Sequence, residues 1–560
     1  MMHQILTGAA VSLLAGVCFA DPAFSVTFER TQDRSGVRVT AQFAGDADGT
    51  TTVSTVGDWG GVRADPSEFT DIGATAGGSS LAISHGEGCS WTISHAPGAD
   101  VTLTYVLREP ADRQPLGRGH NDYRTRVRPE LFQMTGNHGL LYPEHFQDRS
   151  TREHRVEWVG FDAVGEHALS SFGPDRVETV EIDGDGFRQG LFIAGRLAYE
   201  ETTIKGNRVG LVISGDEWGF TPAQFAELTF RIIKTERDFF GDHSDPWYLV
   251  SVTPEGRVEN GSFSLGGTAL TNCFALYCNA GISLDEKNGH VEQIRHVLAH
   301  EYFHTWNGVK FRVEGPEGSN YWFSEGFTEW FTRRMLRLAG LWDDGAVLRN
   351  LNESIAGYDS NARKNAANDQ VTSGFWKDPD LSQLPYRRGD LVALCLDEEI
   401  RRVSGGNRSL DDAFRDLVTR ARGENRMPDR AALMRVFEKE TSPEFVARLR
   451  ACIDDGADPP LPQNLSEFGA TLGTSAMQSF DPGFDVTASG EQKRIVGIKA
   501  GSGAERAGLR DGMPLRRANI GGGDPGTPPR GTVEVEIDGE WKTIEYEAVG
   551  ARRDVRAYRR

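Results

Sequence analysis

Positive charge is scarce in this chain. Lysine and arginine number 61 against 81 aspartates and glutamates, a formal net charge of −20 over 560 residues. That deficit excludes nucleic acid and anionic membrane as the main partner, because both are bound by neutralising phosphates. Long apolar runs are lacking too. Beyond residue 20 no stretch reaches the roughly 20 apolar residues that span a bilayer, so no transmembrane anchor is expected. Cysteine is sparse, and no pair has CxxC spacing, which excludes the thiols as zinc ligands. Apart from Cys18, the cysteines are Cys89, Cys273, Cys278, Cys395 and Cys452. In an oxidising compartment this odd set leaves at least one thiol unpaired, with Cys395–Cys452 and Cys273–Cys278 both open as pairs.

The chain opens with an apolar core, Ile5 to Phe19, too short to span a membrane, and Cys18-Phe19-Ala20 forms a small–x–small step before Asp21. Residues 1–20 are therefore expected to be a cleaved secretory signal, although no basic residue precedes the core. Leu14 to Cys18 approaches a lipoprotein box, but Val17 occupies the place of a small residue. The expectation is export without a lipid, to the periplasm or beyond.

With 38% hydrophobic and 25% charged residues the composition is globular, and the length implies two to four domains. Residues 21–205 read as a β-rich domain. Period-2 alternation recurs at Phe24–Phe28, Val37–Ala41 and Val101–Leu107, separated by Gly, Asp and Pro turns. Helical patterns dominate 206–462, at Pro222–Phe240, around residue 300, and at Glu325–Ala339, Tyr386–Val403, Leu410–Arg422 and Arg430–Glu440. A Pro- and Asp-rich linker, Asp454 to Pro462, precedes short strands and Gly-rich turns over 463–560.

Within the helical part stands His300-Glu301-Tyr302-Phe303-His304, an H-E-x-x-H pattern. Random placement of 13 histidines yields roughly 0.02 such matches per chain. Val297, Leu298, Ala299, Tyr302 and Phe303 favour a helix, with Asn288-Gly289 as the turn before it. Positions four apart share a helix face, so His300 and His304 can present two imidazoles to one ion. Glu301 lies beside them, placed to act on water rather than to ligate. His296 is one turn earlier; a ligand there would close the site, so it reads as structural or supporting.

A catalytic zinc needs a third protein ligand and an open position. After residues 305–324 comes Ser324-Glu325-Gly326-Phe327-Thr328-Glu329. Ser324 is expected to cap a helix with Glu325 in its first turn and Glu329 on the same face. A carboxylate there can accept the second ring N–H of a ligating histidine. The alternative is a solvated acidic face.

H-E-Y-F-H-T-W-N followed by W-F-S-E-G-F-T-E resembles the glycyl aminopeptidase family of zinc peptidases, sharply over 296–332 and more loosely over about 210–460. The resemblance implies a β-rich N-terminal domain, a thermolysin-like (gluzincin) catalytic domain and a C-terminal PDZ domain. It implies one zinc ion held by His300, His304 and Glu325, with Glu301 as general base, while the spacing leaves Glu329 to support a ligand. Leu384-Pro-Tyr386-Arg-Arg-Gly389 is similar to a Pro-Tyr-x-Lys-Gly segment whose tyrosine donates to the tetrahedral oxyanion, a task suited to a neutral phenol. The alternative for Tyr386 is packing at a helix start.

One departure concerns substrate. Relatives carry a Gly-Gly-Leu-Glu-His-like strand edge whose Glu binds the substrate's free amine. Gly266, Gly267, Thr268 and Ala269 form the corresponding substrate-binding stretch here, with no acid. An ammonium drawn from water needs a paired anion; Glu259 is one candidate substitute. Ala500–Gly512 resembles a bacterial PDZ segment, and Gly483, Phe484, Asp485 and Val486 are expected to form its carboxylate loop, binding a peptide C-terminus by strand addition.

The sequence thus reads as a multidomain α+β zinc metallopeptidase with peptide or protein substrates. The activity expected is that of an aminopeptidase. One alternative is an endopeptidase acting on internal or blocked peptides. The other is a non-catalytic PDZ-containing peptide-binding protein, which the conjunction of Glu301 and Tyr386 with the ligand set argues against.

Overall fold

A computed structural model describes residues 22–113, 122–257, 264–288, 290–424, 427–520 and 529–560. The expected leader and Glu259 lie outside the described residues. Residues 22–113 with 123–195 form one compact unit, and residues 196–560 belong to the other.

The first unit is built by alternation. In Val37–Ala44 every other side chain is buried, the period-2 signature of a strand with one face in a core. It pairs antiparallel with Phe24–Arg30 and Asp100–Leu107, so the three strands expected from sequence are neighbours in a seven-stranded sheet. A four-stranded sheet containing Thr50–Ser54 and Ser90–Ser94 accompanies it. Aromatic side chains fill the interior: Phe28 lies 4.9 Å from the Trp158 ring and 5.0 Å from Phe192, centroid to centroid.

The second unit contains the sheet that carries the site. Its strands are β1 (Leu191–Ile204, paired here through residues 197–204), β2 (Asn207–Ser214), β3 (Trp247–Arg257), β4 (Leu265–Leu270) and β5 (Cys273–Ala280). Their order is β1-β2-β3-β5-β4, which leaves β4 at an edge. The parallel step from β2 to β3 is bridged by helix α1 (Pro222–Phe240). Thr221 and Gln224 form a capping box at its start, and Gly241 ends it at φ 60°, the left-handed conformation that glycine adopts without strain.

Four further helices frame the site: α2 (His290–Phe303), α3 (Glu317–Leu338), α4 (Asp344–Ser360) and α5 (Pro379–Val403). Two begin earlier than the sequence suggested. Pro316 stands at the N-cap of α3, so Ser324 caps nothing and Glu325 sits well inside the helix rather than in its first turn. Asp378 caps α5, and Pro379 opens it, so Tyr386 lies in the helix interior and Pro385 is accommodated within it. Pro and Asp at these helix openings supply the start signals, and Pro385 lies within the continuous helix Pro379–Val403.

Helices α3 and α5 meet at two glycines. A Cβ on Gly389 would overlap the Trp322 carbonyl, and one on Gly326 would overlap the Gly389 backbone. Only hydrogen at both places permits this approach.

The core of the second unit extends past the expected boundary at 462. Leu465, Phe468, Ala470 and Tyr558 pack into it with the helices. The strand Val549–Arg559 pairs with Ala470–Phe480. It is tied to α4 by Tyr558 N–H to Asn352 (2.8 Å) and by Arg556 to Asp359 (2.6 Å). Phe484, Ile495, Ala504, Leu509, Val533 and Val535 form a separate small core beside a three-stranded sheet. All five cysteines from Cys89 to Cys452 are buried free thiols, so neither disulfide left open by the sequence forms. Among the described residues no helix is long and apolar enough to cross a membrane.

Candidate active site

Helix α2 carries His300 and Glu301 in its last turn, and His304 follows one residue after its end. From α3, Glu325 reaches the same point. His300 Nε2 is 3.3 Å from Glu325 Oε2 and 3.2 Å from His304 Nε2, and His304 Nε2 is 3.5 Å from Glu325 Oε2. One donor atom from each of the three lies within 4.8 Å of the others. Zinc bonds of about 2.0–2.1 Å at tetrahedral angles place neighbouring donors about 3.3 Å apart, so the donor set fits zinc in both type and spacing.

Both imidazoles have partners on their far side. His304 Nδ1 is 3.0 Å from the Asn307 carbonyl, an arrangement that turns Nε2 toward the cluster. His300 Nδ1 lies 3.2 Å from Glu329 Oε1, and Glu329 Oε2 is 2.9 Å from His296 Nε2. Glu329 thus lies against His300 and is hydrogen-bonded to His296, which stays outside the three-donor cluster.

Asn307 closes the H-E-Y-F-H-T-W-N run and is buried. Its side-chain N–H groups donate to the carbonyls of Phe323 (3.1 Å) and Ser324 (3.0 Å) and to Thr328 Oγ1 (3.0 Å). It therefore grips α3 on either side of Glu325, while its own carbonyl meets His304. An Asn three residues after the second histidine of the H-E-x-x-H motif was the available signal.

Electrostatics follow from crowding. Burial favours a neutral His300, but the Glu325 and Glu329 carboxylates outweigh it and hold the imidazole well above its ordinary range. His304 is likewise raised, burial being overcome by Glu325. Glu325 is held low because the two imidazoles outweigh its own burial. Burial pushes Glu301 up, with the histidines only partly offsetting it. Tyr386, whose ring centroid is 6.1 Å from that of His300, is raised by burial and by Glu325, Glu301 and Glu329, and so keeps its proton.

The edge strand β4 lies against this group. A Cβ at Gly267 would come within 3.1 Å of Glu301 Cγ. Gly266, Thr268 and Ala269 continue along the same edge, with Ala269 paired to Phe274. Of the expected carboxylate loop, Gly483 N–H already donates to Asp481 and Asp485 N–H to the Val496 carbonyl, and Val486 opens a short helix.

Residues 293–382 match the M61 glycyl aminopeptidase family. No curated protein matches the chain. The structure of an aminopeptidase N family protein from Idiomarina loihiensis is similar over 94% of this chain and 96% of that one, with a TM-score of 0.68 at 15% identity, a likeness of fold. An M1 zinc metallopeptidase from Deinococcus radiodurans aligns over 79% of this chain and 94% of its own, with a TM-score of 0.46 at 14% identity.

Proposed function

We propose that this zinc metallopeptidase, whose catalytic segment is that of the glycyl aminopeptidase family, hydrolyses peptide bonds with Glu301 as general base and Tyr386 as oxyanion donor. The observation that carries the proposal is the meeting of His300, His304 and Glu325 donor atoms within 4.8 Å. One zinc ion, when held by these three, supplies Lewis acidity toward the scissile carbonyl and toward water. Glu301 takes a proton from the attacking water and returns it to the leaving amine. The protonated Tyr386 phenol donates to the carbonyl oxygen as negative charge develops. Glu329 and Asn307 hold the two imidazoles in the required tautomers.

Glu301→Gln is expected to retain stoichiometric zinc and to lose turnover by about 10²–10⁴-fold. A variant as active as the parent would remove Glu301 from the mechanism.

Release of an N-terminal residue is the reading the family match favours. Ala269, at the place of the amine-binding acid, favours a second: cleavage of internal or blocked peptides. One peptide offered with free and acetylated N-termini separates them, because only the aminopeptidase loses activity on acetylation. The proposal also covers export, supported by the apolar leader, and a PDZ-like module for peptide C-termini around the small core at 484–548, supported by the Ala500–Gly512 segment.

A further inference from the structure

We propose that the buried pair Arg333–Asp390 acts as a positioning device for Tyr386: it fixes how α5 is turned against α3, and so where the phenol points. The inference rests on the reading of Tyr386 as oxyanion donor.

The glycine contact between the two helices does not set that angle. It joins Gly326 to Gly389, backbone against backbone, and neither glycine brings a side chain to key the rotation. Such a contact is a pivot on which one helix can roll. A directional link away from the pivot removes that freedom. Arg333 stands seven residues beyond Gly326 on α3, about 10.5 Å along the axis, and Asp390 follows Gly389 on α5.

Arg333 donates through Nη2 to Asp390 Oδ1, and through Nη1 to Asn350 Oδ1 of α4 at 3.1 Å, so one guanidinium joins three helices. Its planar fork fixes direction as well as distance. The two side chains are 1% and 0% exposed. Burying both charges costs desolvation that their attraction does little more than offset, and apolar side chains of similar volume could fill the same place. What those would lack is the direction of the bond. Both partners lie one turn from groups of the site: Arg333 is four residues past Glu329, and Asp390 four past Tyr386, each on the same helix face. A roll of α5 that breaks the pair therefore swings Tyr386 as well.

The test uses the zinc-loaded full-length enzyme and one peptide offered with free and acetylated N-termini, following whichever form is cleaved. Two changes are made, Arg333→Met and the apolar replacement Arg333→Met/Asp390→Leu, each in the parent and in Tyr386→Phe. Melting temperature and zinc content are read for every variant. In the parent, each change is expected to lower kcat about 10- to 100-fold, with KM and zinc stoichiometry held. In Tyr386→Phe the same change is expected to lower kcat by less than about 2-fold, because the hydroxyl it would misplace is already gone. Equal losses in the two backgrounds, an unchanged kcat, or zinc lost together with activity overturns this inference alone. So does failure of both changes to give folded protein, which would make the pair purely structural. If Tyr386→Phe is as active as the parent, the oxyanion reading fails and this inference with it; if the parent cleaves neither form, the peptidase reading falls too.

Discussion

Asn307 serves both arms of the donor cluster. Its backbone orients His304, and its amide closes onto Phe323, Ser324 and Thr328 around Glu325. Asn307→Ala leaves two carbonyls and a hydroxyl without that donor in a buried place, which costs stability and lets Glu325 drift. We expect zinc affinity, measured by competition with a chelator, to fall about 10–100-fold, with Glu301 untouched. An unchanged zinc affinity would reduce Asn307 to a packing residue. A second consequence concerns protons. In the metal-free protein His300 and His304 sit above their ordinary value of 6.5. Zinc needs neutral imidazoles, so loading displaces protons, and apparent affinity should rise with pH by about 10-fold per pH unit for each proton displaced. The same shifts govern metal-free stability. The raised histidines contribute stability that is complete below 6.5 and lost as pH climbs through their higher folded values. The depressed Glu325 contributes stability above its ordinary 4.5, lost as pH falls through its lower folded value. Melting temperature of the metal-free enzyme should therefore peak between these limits and decline toward alkaline pH. A flat profile across 6.5 to 9 would contradict the His–Glu pairing.

Elements place these residues by how closely their backbones approach. The crossing of α3 and α5 at Gly326 and Gly389 brings Glu325 and Tyr386 to one site. Gly389→Ala forces the helices apart, at a cost of about 1–3 kcal/mol. It should lower kcat more than zinc content, since Tyr386 lies on the displaced helix. The control is Gly423, in the helix Leu410–Glu424, where an added Cβ meets nothing within 4 Å. There alanine should be neutral or stabilising by up to about 1 kcal/mol. Equal melting temperatures for the two variants would refute the packing argument. Periodicity marked α1 from Pro222 to Phe240 because a capping box, an amphipathic face and a terminal glycine agree there. The starts of α3 and α5 were less legible. Ser324 looks like a cap, yet its carbonyl is engaged by Asn307 inside a longer helix, a tertiary contact with no local trace.

At the scale of the molecule, residues far apart in sequence share cores. Tyr558, two residues from the end, is buried among the helices of the second unit, its hydroxyl donating to the Pro462 carbonyl at 2.7 Å. A linker-like composition at 454–462 suggested a clean division there; the strand Val549–Arg559 returns across it. The sequence alone determined the chemistry available: two imidazoles a turn apart, a carboxylate beside them, a further acid and phenol downstream, and a surplus of negative charge. Those follow from residue type and helical spacing, which are local. The tertiary structure decided whether the donors converge, which acid meets both imidazoles and which lies behind His300, and where β4 passes Glu301. These depend on close approaches such as Gly326 to Gly389 and Asn307 to Ser324, contacts between distant positions that no local pattern encodes.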